Sequence, residues 1–286
     1  MNWRLRNREL HFDSRCLVMG IVNVTPDSFS DGGRFLQHDT AIAQGLELVR
    51  RGTDLLDIGG ESTRPGSQPI SLEEELQRVV PVIAGLAQQC DVPLSIDTSK
   101  AEVARACLEA GAHIVNDVTG LTGDPDMPQV VRDLGAGAIV MHMQGTPATM
   151  QLAPTYDDVV ADIASYFAER LRTLATFGIA PECIALDPGI GFGKTRDHNI
   201  TLLARLDHFR ALGRPLCLGV SRKGFLGRLL DRPVNERVAA SLSAAAFALS
   251  QDAAQILRVH DVAETRDLAI VWQTLRSARQ DACQAK

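Results

Sequence analysis

Aromatic residues are scarce in this 286-residue chain: Phe, Trp and Tyr make up 5% of it, against an apolar fraction of 45%. A core with so few rings must be filled by Val, Ile, Leu and Ala, the side chains of parallel-sheet interiors, which favours an α/β class. An excess of basic residues is also missing, with 29 Lys and Arg against 35 Asp and Glu for a net charge of -6. Nucleic-acid binding needs a basic stripe that neutralises phosphates, so no nucleic-acid partner is expected and any anion has to be bound locally. Nowhere do 18 apolar residues run together, and the opening MNWRLRNREL has no apolar stretch behind its charges. We therefore expect no membrane partner and a cytoplasmic location. The six cysteines, Cys16, Cys90, Cys107, Cys183, Cys217 and Cys283, form no C-x-x-C pair and no zinc-type spacing, and read as reduced core thiols. Pro/Ser-rich linkers and low-complexity tracts are lacking as well. One domain over residues 1–286 is the simplest division, with a short segment 1–16 ahead of the first strand.

What the chain does contain is a succession of short apolar runs: LVMGIVN from Leu17, LLDIGG from Leu55, PLSID from Pro93, HIVND from His113, AIVMHM from Ala138, CIALDP from Cys183, LCLGVS from Leu216 and ILRVHD from Ile256. Each is too short for a buried helix and is followed by helical signals. Ser71 with Glu74 and Ser99 with Glu102 fit the capping-box spacing that opens a helix. The segments 156–177 and 234–251 are long enough for several turns, and the second, nearly all Ala, Ser and Leu on one side, also suits a partner subunit. Alternating strands and helices demand a parallel sheet, and eight such units point to a closed (β/α)₈ TIM barrel ahead of an open doubly wound sheet.

Nearly every apolar run ends in polar groups: Asn23, Glu61, Asp97, Asn116 with Asp117, His142 with Gln144, Asp187, Ser221 with Arg222 and Lys223, and His260 with Asp261. Taken singly, such residues usually start loops or cap helices. In a barrel, however, all of these ends meet on one face, where unpaired charges are costly unless matched to each other or to a ligand. Two apparent motifs carry less. In the glycine run Gly189-Ile190-Gly191-Phe192-Gly193-Lys194-Thr195, Pro188 holds the position a phosphate loop needs for Gly, and the dinucleotide spacing is absent. We read it as a flexible loop with a solvated Lys194. In Met141-His142-Met143, a single His without neighbouring ligands reads as packed rather than metal-bound.

The longer motifs are specific. MGIVNVTPDSFSDGG from Met19, DIGGESTRPG from Asp57, IDTSK from Ile96, IVNDVTG from Ile114, MHMQGTP from Met141, LDPGIGFGK from Leu186, GVSRKGFLG from Gly219 and RVHDV from Arg258 resemble the dihydropteroate synthase family, in the family's order, over about residues 17–275. The resemblance implies a TIM barrel that joins a pterin-methyl pyrophosphate to p-aminobenzoate with loss of pyrophosphate, a sulfonamide target and a homodimer. It places pterin recognition on Asp97, Asn116, Asp187 and Lys223, with Met143 beneath the ring. A carboxylate such as Asp187 can accept the paired N–H groups of the pyrimidine edge, and Lys223 can donate to ring acceptors. The pyrophosphate set falls on Asn23, Arg64, Arg258 and His260, with Asn23 also touching Mg²⁺, a cation that prefers hard oxygen ligands. The p-aminobenzoate set falls on Thr63, Pro65, Phe29, Phe192 and Ser221. Lys223, Asp97, Asp187 and Arg64 form the implied catalytic group. The nearest rival, a pterin-binding methyltransferase on the same barrel, would share the Asp and Asn groups but has no use for a pyrophosphate set.

Overall fold

The computed structural model describes residues 1–12, 15–24, 34–64 and 66–284, the side chains of 34–36, 283 and 284 aside. Strands β1 (Asn2–Arg4) and β2 (Glu9–His11) form an antiparallel hairpin. Then follow β3 (Leu17–Asn23), α1 (Arg34–Arg50), β4 (Leu55–Gly59), α2 (Leu72–Ala87), β5 (Leu94–Asp97), α3 (Ala101–Glu109), β6 (Ile114–Asp117), α4 (Met127–Asp133), β7 (Gly137–Met141) and α5 (Val159–Thr176). The chain continues through β8 (Ile184–Asp187), α6 (Arg196–Ala204), β9 (Cys217–Leu218), α7 (Gly224–Leu230), α8 (Val238–Ser250), β10 (Ile256–Val259) and α9 (Val262–Gln284). The eight strands from β3 onward pair in parallel in the order β8-β7-β6-β5-β4-β3-β10-β9. A parallel bridge from Leu186 to Leu216 joins the two ends and closes the barrel. Each of the eight apolar runs of the sequence holds one of these strands.

Strand alternation explains where the polar residues go. The inner cluster contains Leu55, Ile114, Ala185, Cys217 and Ile256, while Leu56, Val115, Ile184, Leu186, Leu218 and Leu257 face outward onto the helices. Side chains two residues apart share a face. One step further along the same inner face therefore come Asp57, Asn116, Asp187 and Arg258. An apolar floor is thus followed by a polar layer, and only then by the mouth.

The hairpin is an element the sequence reading did not resolve within segment 1–16. It plugs the end of the barrel opposite the polar layer: Trp3 and Leu5 are buried against Leu17, Ile139 and Ala185, and the Trp3 indole N–H donates to the Cys183 carbonyl at 2.9 Å. Trp3→Ala would remove a fully buried indole, and the cost is expected to be about 3–5 kcal/mol. Chemical denaturation measures it, and a loss under about 1 kcal/mol would show that the hairpin is not part of the core.

Helix starts are capped partly as read. The Ser71 hydroxyl accepts from the Glu74 N–H at 3.1 Å at the head of α2. The Ser99 box does not form: α3 begins at Ala101, whose N–H is taken by Asp124 Oδ2 at 2.8 Å from the loop after β6. A tertiary carboxylate supplies what local spacing suggested a serine would.

Candidate active site

The polar layer centres on Asp57, fully buried on β4. Its Oδ2 accepts from Arg258 Nε at 2.6 Å and from Asn116 Nδ2 at 3.0 Å, while Arg258 also donates through Nη2 to Asp97 Oδ2 at 2.6 Å. Four strands thus contribute to one network of two carboxylates, a guanidinium and an amide. Asp57 Oδ1 and Ser95 Oγ of the same layer have no protein partner. Burial pushes the Asp97 carboxyl up to about 7, with Arg258 pulling it down and Asp57 adding to the rise. The two carboxylates, in turn, raise the Arg258 guanidinium against its own desolvation. Sequence reading missed Asp57. The signal available was its place within DIGGESTRPG, two residues after an inward Leu55, where a carboxylate on an inner strand face needs a buried cation.

Asp187 and Lys223 stand on the other side of the mouth. Asp187 Oδ1 accepts the Gly189 N–H at 2.7 Å, and burial raises its pKa against that bond and the charge of Lys223. Burial pulls the Lys223 ammonium down to about 8, with Asp187 opposing. The ammonium lies 4.3 Å from the centroid of the Phe192 ring, a cation–π contact. The residue before it, Arg222, has φ 56, a left-handed conformation that costs a non-glycine residue stability. It is held there by bonds from its guanidinium to Asp261 and from its N–H to Ser241 Oγ at 2.8 Å. The strained turn leads directly into Lys223.

The remaining candidates spread over the rim. His260 Nδ1 is 3.0 Å from Ser221 Oγ, which also accepts the His260 N–H at 3.1 Å, so the Ser221 hydroxyl is engaged with His260. Burial, then the charges of Arg258, Arg222 and, more weakly, Arg64 hold His260 at about 4, neutral at physiological pH. Arg64 is exposed and Thr63 half-buried, in a turn closed by the Ser67 hydroxyl, which donates to the Arg64 carbonyl at 2.8 Å. That loop is braced from behind by Lys100, which bonds Glu61 and the buried Glu75, the latter at 2.5 Å. This brace, too, was not read from the sequence. Asn23 sits half-buried at the end of β3 beside Gly59, and Met143 is half-buried in the loop after β7. Phe29 and Pro65 lie outside the described residues.

Not every strand-end residue joins the mouth. Asp117 is the outward neighbour of Asn116 and is spent on a local turn, accepting from the Thr119 and Leu121 N–H groups. Gln144 bonds the Thr155 backbone. Lys194 corrects the sequence reading: it is 1% exposed and fully bonded, as taken up below. A cavity of about 310 Å³ lies at the hairpin end instead, lined by Phe12, Arg214, Trp272 and Arg276 among others. Of the arginines that line it, Arg276 pairs with Asp252 at 2.7 Å, Arg15 pairs with Asp54 and Arg214 is bonded to two backbone carbonyls.

A parallel barrel whose C-terminal end gathers three Asp, an Asn, a Lys and an Arg suits recognition of a polar ring, and a family model described as "Pterin binding enzyme" matches residues 19–260. Dihydropteroate synthase of Escherichia coli K12 is 47% identical over 92% of this chain and 93% of its own length, and that of Synechocystis is 47% identical over 87% and 86%. Among solved structures, Xanthomonas albilineans dihydropteroate synthase with 4-aminobenzoic acid superposes with a TM-score of 0.90 at 46% identity, covering 96% of this chain and 98% of that one. The Yersinia pestis enzyme in a sulfonamide complex gives 0.91 at 45% identity, covering 97% and 100%. The chain belongs to the pterin-binding enzyme family and, within it, to the dihydropteroate synthases.

Proposed function

We propose that the protein condenses 7,8-dihydropterin-6-ylmethyl diphosphate with p-aminobenzoate to give 7,8-dihydropteroate and diphosphate. The observation that carries this is the cluster of Asp97, Asn116, Asp187, Lys223 and Arg258 at the barrel mouth. Its donors and acceptors suit a pterin edge, and Arg64 and His260 stand beside it for an anion. In the reaction the bond from the methylene carbon to the diphosphate oxygen breaks, its electron pair leaving with the diphosphate. A bond to the arylamine nitrogen forms, and that nitrogen gives up a proton.

Asp187 accepts the paired pterin N–H groups, Asn116 serves mixed positions, Lys223 donates to ring acceptors and Met143 lies beneath the ring. Among the described residues no side chain is placed to attack carbon, so no covalent enzyme intermediate is needed, and we take the substitution as dissociative, the amine adding to the pterin cation. Asp97 and Asp187 favour the electron-poor pterin that remains, while Arg64, Arg258 and His260 stabilise the departing diphosphate. His260, being neutral, acts as a hydrogen-bond donor rather than a charge. Thr63, Phe192 and Ser221, with Phe29 and Pro65, bound the p-aminobenzoate subsite.

Among the described residues no three His, Cys, Asp or Glu side chains group as a metal site. One amide oxygen, from Asn23, together with diphosphate oxygens still suits Mg²⁺, which keeps several waters and binds through substrate phosphates. Bound there, Mg²⁺ would neutralise charge on the leaving group.

The enzyme acts as a homodimer: Phe247 on α8 and Ile270, Val271 and Leu275 on α9 are exposed apolar residues on neighbouring helices, a surface that suits a second copy. The buried free thiols of Cys16, Cys107, Cys183 and Cys217 fit a reducing cytoplasm. Among the described residues, no helix is long and apolar enough to cross a membrane.

The test is diphosphate release from the pure protein. Release is expected to need both organic substrates, to stop in excess EDTA, and to be inhibited by a sulfonamide competitively with p-aminobenzoate. No release with both substrates and Mg²⁺ present would overturn the assignment, and full release in EDTA would remove the metal from it.

A further inference from the structure

Of the glycine run 189–193 the mechanism above uses Phe192 alone, and it leaves the lysine that follows the run without a part, yet the structure commits that lysine heavily. The Lys194 ammonium donates to the Phe192 carbonyl at 2.8 Å and to the His142 carbonyl at 3.2 Å, and lies 3.1 Å from His142 Nδ1. An ammonium has three protons, and these three acceptors use them all. His142 is itself buried, edge-on to the Tyr166 ring, and is held neutral at about 3 by burial first and then by the charge of Lys194, so that Nδ1 can accept. The acceptors belong to two different loops, His142 following β7 and Phe192 following β8. Those loops touch through backbone. A Cβ on Gly189 would stand 2.0 Å from the His142 carbonyl oxygen, and one on Gly193 would stand 2.5 Å from that of Gln144.

A cation in such a place is expensive. Burial pulls the Lys194 ammonium down to about 7, with Asp187 opposing and Lys223 adding to the fall. An apolar side chain of equal length would pack there at less cost if filling space were the only requirement. What the lysine adds is a bond to each loop at once.

We propose that Lys194 is a positioning residue for the reaction, tying the loops after β7 and β8 together and so fixing the Phe192 ring against Lys223 as the wall of the p-aminobenzoate subsite. The inference rests on the functional reading above and deepens it. Its lever is the Phe192 carbonyl, one residue's backbone away from the ring that meets the Lys223 ammonium. Neighbouring contacts pin other parts of the same run: the Gly191 N–H donates to Asn199 Oδ1 at 2.6 Å, and the Tyr156 hydroxyl donates to the Gly193 carbonyl at 2.7 Å. The run therefore keeps its general course without Lys194, and what is lost is the setting of Phe192.

Steady-state diphosphate release by the full-length protein, Lys194→Met and Lys194→Gln tests this. Met and Gln both end one atom short of the ammonium; Met has no donor, and Gln keeps two. In Lys194→Met the KM for p-aminobenzoate is expected to rise about tenfold or more, with kcat and the KM for the pterin diphosphate within about threefold, and Lys194→Gln is expected to recover part of the loss. Should the Met variant not fold, the Gln variant decides alone by an intermediate rise in the same constant. Unchanged KM for p-aminobenzoate would overturn the proposal, as would a parallel loss in all three constants, which is what packing alone predicts. Absence of release by the unsubstituted protein would overturn the functional reading and the inference with it, and is distinguishable because it precedes any substitution.

Discussion

Arg258→Met is expected to be the most damaging single change at the mouth, losing about 3–5 kcal/mol of stability and a similar amount of transition-state binding, roughly a hundredfold to several-thousandfold in kcat/KM. The guanidinium is bonded to both Asp57 and Asp97, each at 2.6 Å. Without it, Asp57 is left fully buried and uncompensated. Asp97, already pushed up to about 7, moves higher still because the arginine was holding it down, and becomes a neutral acid at pH 7. The sign of the stability effect follows. A carboxyl whose folded pKa is raised binds a proton in the folded state that the unfolded chain has released, so its contribution is present at low pH and is lost as pH rises through about 7. In the variant that loss should move to higher pH. Adding Asp57→Asn to Arg258→Met should restore much of the stability and little of the activity, because the stranded charge is gone while the substrate contacts remain missing. Urea denaturation with diphosphate-release kinetics separates the two. A single variant as stable as the unsubstituted protein would mean that the network does not support the fold.

Lys223→Ala should lower kcat/KM by about 2–5 kcal/mol, or roughly thirtyfold to several-thousandfold, with the fold retained, since a half-buried donor in the proposed pterin site is removed and Asp187 loses the strongest of the cations acting on it. The same pair predicts the pH profile. On the proposed mechanism Lys223 binds as the charged form and is pulled down to about 8, so kcat/KM should fall as pH rises above that value. On the same proposal Asp97 acts ionised and is pushed up to about 7, so the rate should fall as pH drops below it. A bell with its maximum between these limits is the expected result. Lys223→Arg should flatten the alkaline side, because a guanidinium stays charged, although its different shape lowers the plateau. If the alkaline limb persists unchanged in that variant, the titrating group is not Lys223.

The sequence by itself determined the strands, their order and the face on which function sits. Each strand, two to seven residues long, is written by an apolar run that ends in polar groups. Period-two alternation then decides that Asn116 turns inward and Asp117 outward, and that Asp187 follows Ala185 on the inner face. Such information is local, carried by side-chain chemistry and backbone sterics over a few residues, and it is therefore legible without a fold. It also made the family motifs readable, and with them the residues that the resemblance implies for pterin recognition, Asp97, Asn116, Asp187 and Lys223. What only the tertiary structure decided are the pairings between residues distant in the chain: Trp3 sealing the barrel floor at the Cys183 carbonyl, Asp124 capping α3 in place of Ser99, Asp57 meeting Arg258, Lys100 bridging Glu61 and Glu75, and Lys194 buried between two loops rather than solvated. No periodicity encodes these. A lysine in a glycine-rich loop carries the same local signature whether it reaches water or three buried acceptors, and what separates the two outcomes is the distance between loops that the closed barrel alone sets.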